Sequence, residues 1–199
     1  KSVAKIKEDK PQGFWSKRLA SITEKRNRQM RDAVNKAARI VVNHCLENNI
    51  GTLVFGCNEA QKSGSNMVKK NNQKFVQVPT AKLKNRIEQL CEQYGIEFVE
   101  TEESYTSKAS FLDTDELPKH GEKPDGWKES GRRVKRGLYK SSKGYLINAD
   151  CNGAANIIRK VATKLSLELS GISRGCLSQP KKVRLWTLQK SPRLQTGEA

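Results

Sequence analysis

Three carboxylates stand where the chain could place them for chemistry. Glu102 and Glu103 close a predicted strand, and Asp150 opens a predicted helix. In an α/β sheet the C-terminal strand ends and the helix N-termini share one edge, where sites form. Hard carboxylate oxygens on that edge suit Mg²⁺, and two such ions roughly 3.5–4 Å apart clamp the attacking and leaving oxygens of a phosphodiester. Gly153, Ala154 and Ala155 are small enough to let a metal or a strand approach the helix start. Each carboxylate also has a plainer reading. Aspartate before a helix is a common N-cap, and paired glutamates at a strand end are often merely exposed. Spacing alone leaves both readings open. His44 falls on a helix and His120 in a loop, with no nucleophile or zinc partner near either in sequence.

The elements that must position these groups follow from periodicity. A long helix is predicted from about Lys17 to Asn48, with Met30, Val34, Ala37, Val41 and Cys45 as its apolar stripe and Lys25, Arg26, Arg28, Arg31, Lys36 and Arg39 around much of the rest. Thr52–Gly56 reads as a buried strand, residues 57–74 as a polar loop, and Phe75, Val76 and Val78 as the approach to Pro79. Thr80–Tyr94 is a second amphipathic helix through Leu83, Ile87, Leu90 and Tyr94, ended by Gly95. Ile96–Glu102 alternates as a second strand. The expected organisation is an irregular basic segment over 1–16, a core over 17–104, a turn-rich basic insertion with little core over 105–147, a helix over 148–170 and a weakly ordered basic tail over 171–199. Two strands make a poor sheet, so further strands are expected from elsewhere.

Charge narrows the partners. Thirty-eight Lys and Arg against 21 Asp and Glu give +17 with histidine neutral, which calls for a polyanion. Aromatic residues make up only 6%, too few for base stacking to be the main mode of binding. No apolar run is long enough to span a bilayer, so no membrane partner is expected. Cys45, Cys57, Cys91, Cys151 and Cys176 are scattered without a C-x-x-C pair, which disfavours a disulfide framework and points to a reducing cytoplasm.

Arg26-Asn27-Arg28, the strand ending at Gly56, Asn72–Pro79, Glu102–Ser110 and Asn148–Ile157 together resemble TnpB, the OrfB-type transposon protein related to type V CRISPR effectors. The likeness covers about residues 17–160. It rests chiefly on Tyr105-Thr106-Ser107-Lys108 followed by Asp150-Cys151-Asn152-Gly153-Ala154-Ala155-Asn156 in the family's order. The resemblance implies an RNase H-like (RuvC-like) α/β nuclease domain that cuts DNA with two Mg²⁺ ions held by three carboxylates, guided by an RNA encoded at the transposon end.

Asp150 matches the family's last carboxylate. The second, a glutamate ending the central strand, falls at Gly56, which leaves Glu102 or Glu103 as its replacement. The first belongs to a strand ahead of the long helix and has no counterpart here, so the chain is expected to be the C-terminal part of a longer protein. The family's four zinc-binding cysteines are not matched around Ala109 and Ser110, so no zinc is expected, and the insertion is expected to be held by polar and basic contacts. Arg26, Arg28, Arg31, Lys108, Arg132, Arg133, Lys135, Arg136, Asn152 and Asn156 are the expected contacts to DNA or RNA. A remnant that only binds nucleic acid is the competing function, and a generic basic RNA-associated protein is a third.

Overall fold

A computed structural model describes residues 16–57, 79–181, 183 and 185. The chain begins its ordered course with α1 (Lys17–Glu47), started by Ser16, whose hydroxyl accepts from the Leu19 amide at 3.2 Å. Then follow β1 (Thr52–Cys57), α2 (Thr80–Tyr94) and β2 (Glu97–Glu102). β1 and β2 pair in parallel, with Thr52 opposite Glu97 and Cys57 opposite Glu102. Gly95 ends α2 at φ 68°, the left-handed conformation that costs glycine least, and the Ile96 amide closes back on the Cys91 carbonyl at 2.9 Å.

The first core lies where the two long helices meet the strands. Ala38, Val42 and Cys45 of α1 pack with Ile87, Leu90 and Cys91 of α2 and with Ile96. The apolar stripe of α1 keeps Cys45 but passes through Ala38 and Val42, both buried, in place of Ala37 and Val41, the latter 37% exposed. Ile40, Val41 and Val42 are consecutive and apolar, so spacing could not choose which of them faces inwards.

The 105–147 segment has more core than its composition promised. β3 (Arg132–Lys135), β4 (Leu138–Lys140) and β5 (Leu146–Asn148) form an antiparallel sheet in that order. Tyr139 and Ile147 from that sheet join Phe111, then Ala149 and Ala155 of α3 (Ala149–Ala162), around a second cluster. Leu177 of the short α4 (Arg174–Ser178) completes it, so order extends past residue 170. Polar contacts add to this core. Asp115 accepts from the amides of Ser110 (2.7 Å) and Ser130 (3.0 Å), and Asp113 accepts from the hydroxyls of Ser110 and Ser142, each at 2.6 Å. The expected 1–16 segment up to residue 15, the loop after Cys57 and the Phe75–Val78 approach lie outside the described residues. Among the described residues the five cysteines are free thiols, and no helix is long and apolar enough to cross a membrane.

α3 is fastened to the turn that follows β2 by two carboxamides with no exposed surface. Asn152 accepts from the Phe111 amide at 2.9 Å and donates to the Ala109 carbonyl at 2.8 Å. Asn156 donates to the Thr106 carbonyl at 3.0 Å and to the Ala109 carbonyl at 2.8 Å. Asn152→Ala leaves a buried amide unpaired and opens a small cavity, so it should cost about 2–4 kcal/mol, read as a lower urea midpoint with unchanged m-value. A midpoint within error of wild type would show that the fastening contributes little.

Candidate carboxylate site and basic surface

Because β1 and β2 run in parallel, their C-terminal ends share one edge of the molecule. Glu102 and Glu103 both leave from it, yet their surroundings differ. Glu102 is ion-paired with the ammonium of Lys160, whose side chain is only 8% exposed and also reaches the Pro118 carbonyl at 3.3 Å. Burial alone would raise the Glu102 pKa, but Lys160 together with neighbouring hydrogen-bond donors at Ser104 and His120 more than offsets it and holds the carboxylate below its ordinary value. Among the described residues Glu103 has no such partner. Burial pushes its pKa up, and no compensating cation or hydrogen bond among them counters it.

Glu103 also sits beside Gly56. A Cβ placed on Gly56 would lie 3.3 Å from the Glu103 Cβ and 2.6 Å from Cδ1 of Ile157 on α3. The carboxylate leaving β2 thus starts next to the position on β1 where the resemblance expects a glutamate and finds none.

Asp150 is not the cap of its helix. That role belongs to Asn148, whose side-chain oxygen accepts from the amides of Asp150 (2.9 Å) and Cys151 (3.0 Å). The Asp150 carboxylate is left 84% exposed, with the Arg133 guanidinium from β3 at 3.6 Å. Asp150 and Ile157 are seven residues apart on α3, so they share a face about 10 Å apart along its axis. Gly153, between them on that face, lies 4.0 Å from Ser107 and Thr106 when given a Cβ.

Glu103 therefore starts near Ile157, on the α3 face that Asp150 opens, while Glu102 is engaged by Lys160. Lys160, which holds Glu102, lies about 15 Å along the helix from Asp150. Among the described residues no group of three His, Cys, Asp or Glu side chains could hold a metal ion. Glu102 thus faces a buried cation that Glu103, among the described residues, does not.

The basic side chains fall in two places. Arg26, Arg28 and Arg31 are exposed on α1, with Arg28 also 3.5 Å from Glu24. Lys108, Arg132, Arg133, Lys135 and Arg136 are exposed on the turn after β2 and on the β3–β4 hairpin. Asn152 and Asn156 are a correction. Both are fully buried and serve the α3 fastening, so neither offers a surface to a nucleic acid. Sequence reasoning also missed Lys160, whose helical position gives no hint that it neutralises a glutamate 58 residues away.

Residues 81–157 match the family model described as Cas12f1-like, TNB domain, and Cas12f1 is a TnpB-related type V effector. That matched segment, about two fifths of the chain, is similar to part of a TnpB-related protein. The chain is also similar to a chain of the "Cryo-EM structure of the Cas12f1-sgRNA-target DNA complex", at 23% identity and a TM-score of 0.49. The likeness covers 71% of this chain and 36% of that one, so this chain spans about a third of that chain's length. No curated protein matches it.

The raised pKa of Glu103 sets a pH dependence. A carboxyl whose folded pKa lies above its unfolded value adds stability below the unfolded pKa, and that contribution is lost as pH rises through the folded one. The neutral Glu103→Gln variant should therefore be more stable than wild type at pH 8 and converge with it towards pH 4, in denaturant titrations at both pH values. A variant less stable than wild type at pH 8 would show that a partner holds the carboxylate ionised.

Proposed function

We propose that this chain is the C-terminal part of a TnpB-like, transposon-encoded, RNA-guided DNA endonuclease with an RNase H-like (RuvC-like) domain, acting in the cytoplasm. The observation that supports the reading is the placement of Glu103 and Asp150 within the matched TNB segment. Glu103 is half-buried at the sheet edge without a cation among the described residues, and Asp150 is exposed at the start of the helix whose face passes beside Glu103. Two hard oxygen donors of this kind fit Mg²⁺ in character. A third carboxylate belongs to sequence ahead of α1. Mg²⁺ bound there would activate water and stabilise the leaving oxygen of a phosphodiester.

The chain's own residues have separate tasks. Glu103 and Asp150 would hold the metal. Arg133, 3.6 Å from Asp150, balances part of that carboxylate's charge. Exposed Lys108, Arg132, Lys135 and Arg136 take the phosphates of DNA or guide RNA. In the insertion, Asp113 and Asp115 with their serine partners provide the cross-links that a zinc ion provides elsewhere in the family.

Gly56 and the lack of a three-carboxylate group among the described residues favour a second reading, a remnant that binds nucleic acid without cutting it. DNA cleavage separates the two. The longest polypeptide that the gene encodes should cut DNA only with Mg²⁺ and guide RNA, and Asp150→Ala and Glu103→Gln should each lower the rate at least a hundredfold, while Glu102→Gln stays within a few-fold. Absence of cleavage alongside tight, salt-sensitive binding would establish the remnant.

A further inference from the structure

A groove of about 670 Å³ runs between the N-terminal halves of α1 and α2. Its charged lining is Arg28 and Arg31 from α1, Lys82 and Arg86 from α2, and Glu24, which is already ion-paired with Arg28 at 3.5 Å. Lys82 and Arg86 belong to no motif the sequence singles out. Arg86 is half-buried on the α2 wall, where one of its terminal nitrogens donates to the Gln89 side chain at 3.1 Å. Four cations against one acid, itself already paired, give the groove a net positive charge that suits a polyanion.

Topology places the groove beside the carboxylates. Lys84, in the second turn of α2, reaches Glu100 near the end of β2 at 2.7 Å, so α2 begins at the edge from which Glu103 leaves. α1 runs back past β1, its end tied to the strand start by the Ile50 amide on the Cys45 carbonyl at 2.8 Å. Arg31 lies about 20 Å up the helix from Cys45, the length of a six-residue strand, so the groove opens at that same edge.

We propose that this groove binds a nucleic-acid strand through its phosphodiester backbone, with Arg31, Lys82 and Arg86 on the phosphates. The inference deepens the nucleic-acid reading above and rests on it. Guanidiniums match phosphate oxygens two at a time, and the terminal nitrogens of Arg31 and Arg86 are the donors the groove offers them. Asn85 and Gln89, on the same wall, add amide donors for neighbouring backbone oxygens.

The test is fluorescence anisotropy with a labelled 20-nucleotide single-stranded DNA, in EDTA so that no cleavage occurs. Arg31→Gln with Arg86→Gln is compared with Arg18→Gln with Lys25→Gln, which removes the same charge from exposed α1 positions outside the groove lining. The groove pair should weaken binding at least tenfold more than the control pair, and its salt slope should fall by about 1.4, at about 0.7 per phosphate lost. Equal losses in the two pairs would overturn the proposal; that is the result expected if the groove holds an acidic protein segment or only solvent. If the groove pair melts below wild type, Arg28→Gln with Lys82→Gln, both exposed residues, replaces it under the same criterion. Failure of the nuclease reading would look different, with groove-dependent binding intact and no cleavage on adding Mg²⁺.

Discussion

Two buried carboxamides decide where the turn after β2 lies. Asn152 and Asn156 each present a donor and an acceptor to a space without water, and the backbone of residues 106–111 supplies partners for most of them. A buried amide left unpaired is costly, so α3 and the turn cannot slide past one another without breaking several bonds together. That constraint fixes the carboxylates too. Glu103 precedes the turn and Asp150 begins the helix, so the distance between them is set by amides that touch neither.

The division of labour between adjacent glutamates follows from one ammonium. Glu102 and Glu103 are consecutive and chemically the same, and both leave the same strand end. Lys160 sits on the Glu102 side, where its own burial would be costly without an anion, so the two form a mutually dependent pair. Glu103 bears the cost of burial with no compensating partner among the described residues. Groups whose ionised form is disfavoured by their surroundings are those that a divalent cation can most change, which is why perturbed carboxylates gather at functional sites.

Much of this was readable from residue types and spacing. The helix–strand–helix–strand order, the stop at Gly95 and the identity of Glu103 and Asp150 as candidates all follow from local patterns. The facts that depend on distant residues were not readable. Alternation along β2 could not separate Glu102 from Glu103, because the residue that sets their surroundings apart is Lys160 on α3. Asn152 and Asn156 read as polar and available, since sequence carries no sign that a turn forty residues earlier covers them. The insertion looked coreless because its apolar residues are few, yet Tyr139 and Ile147 are each 1% exposed once α3 and α4 close over them.

Gly56 carries a historical consequence. Its missing side chain is filled by Ile157, whose Cδ1 would stand 2.6 Å from any Cβ placed there, with Glu103 close on the other side. A lineage could not place an acidic residue there on β1 by one codon change, since the newcomer would collide with the isoleucine and bring two like charges together in a half-buried space. Ile157 would have to shrink and Glu103 to be neutralised in company. Such an interlock acts as a ratchet: the packing around Gly56 makes a glycine there hard to exchange for an acid.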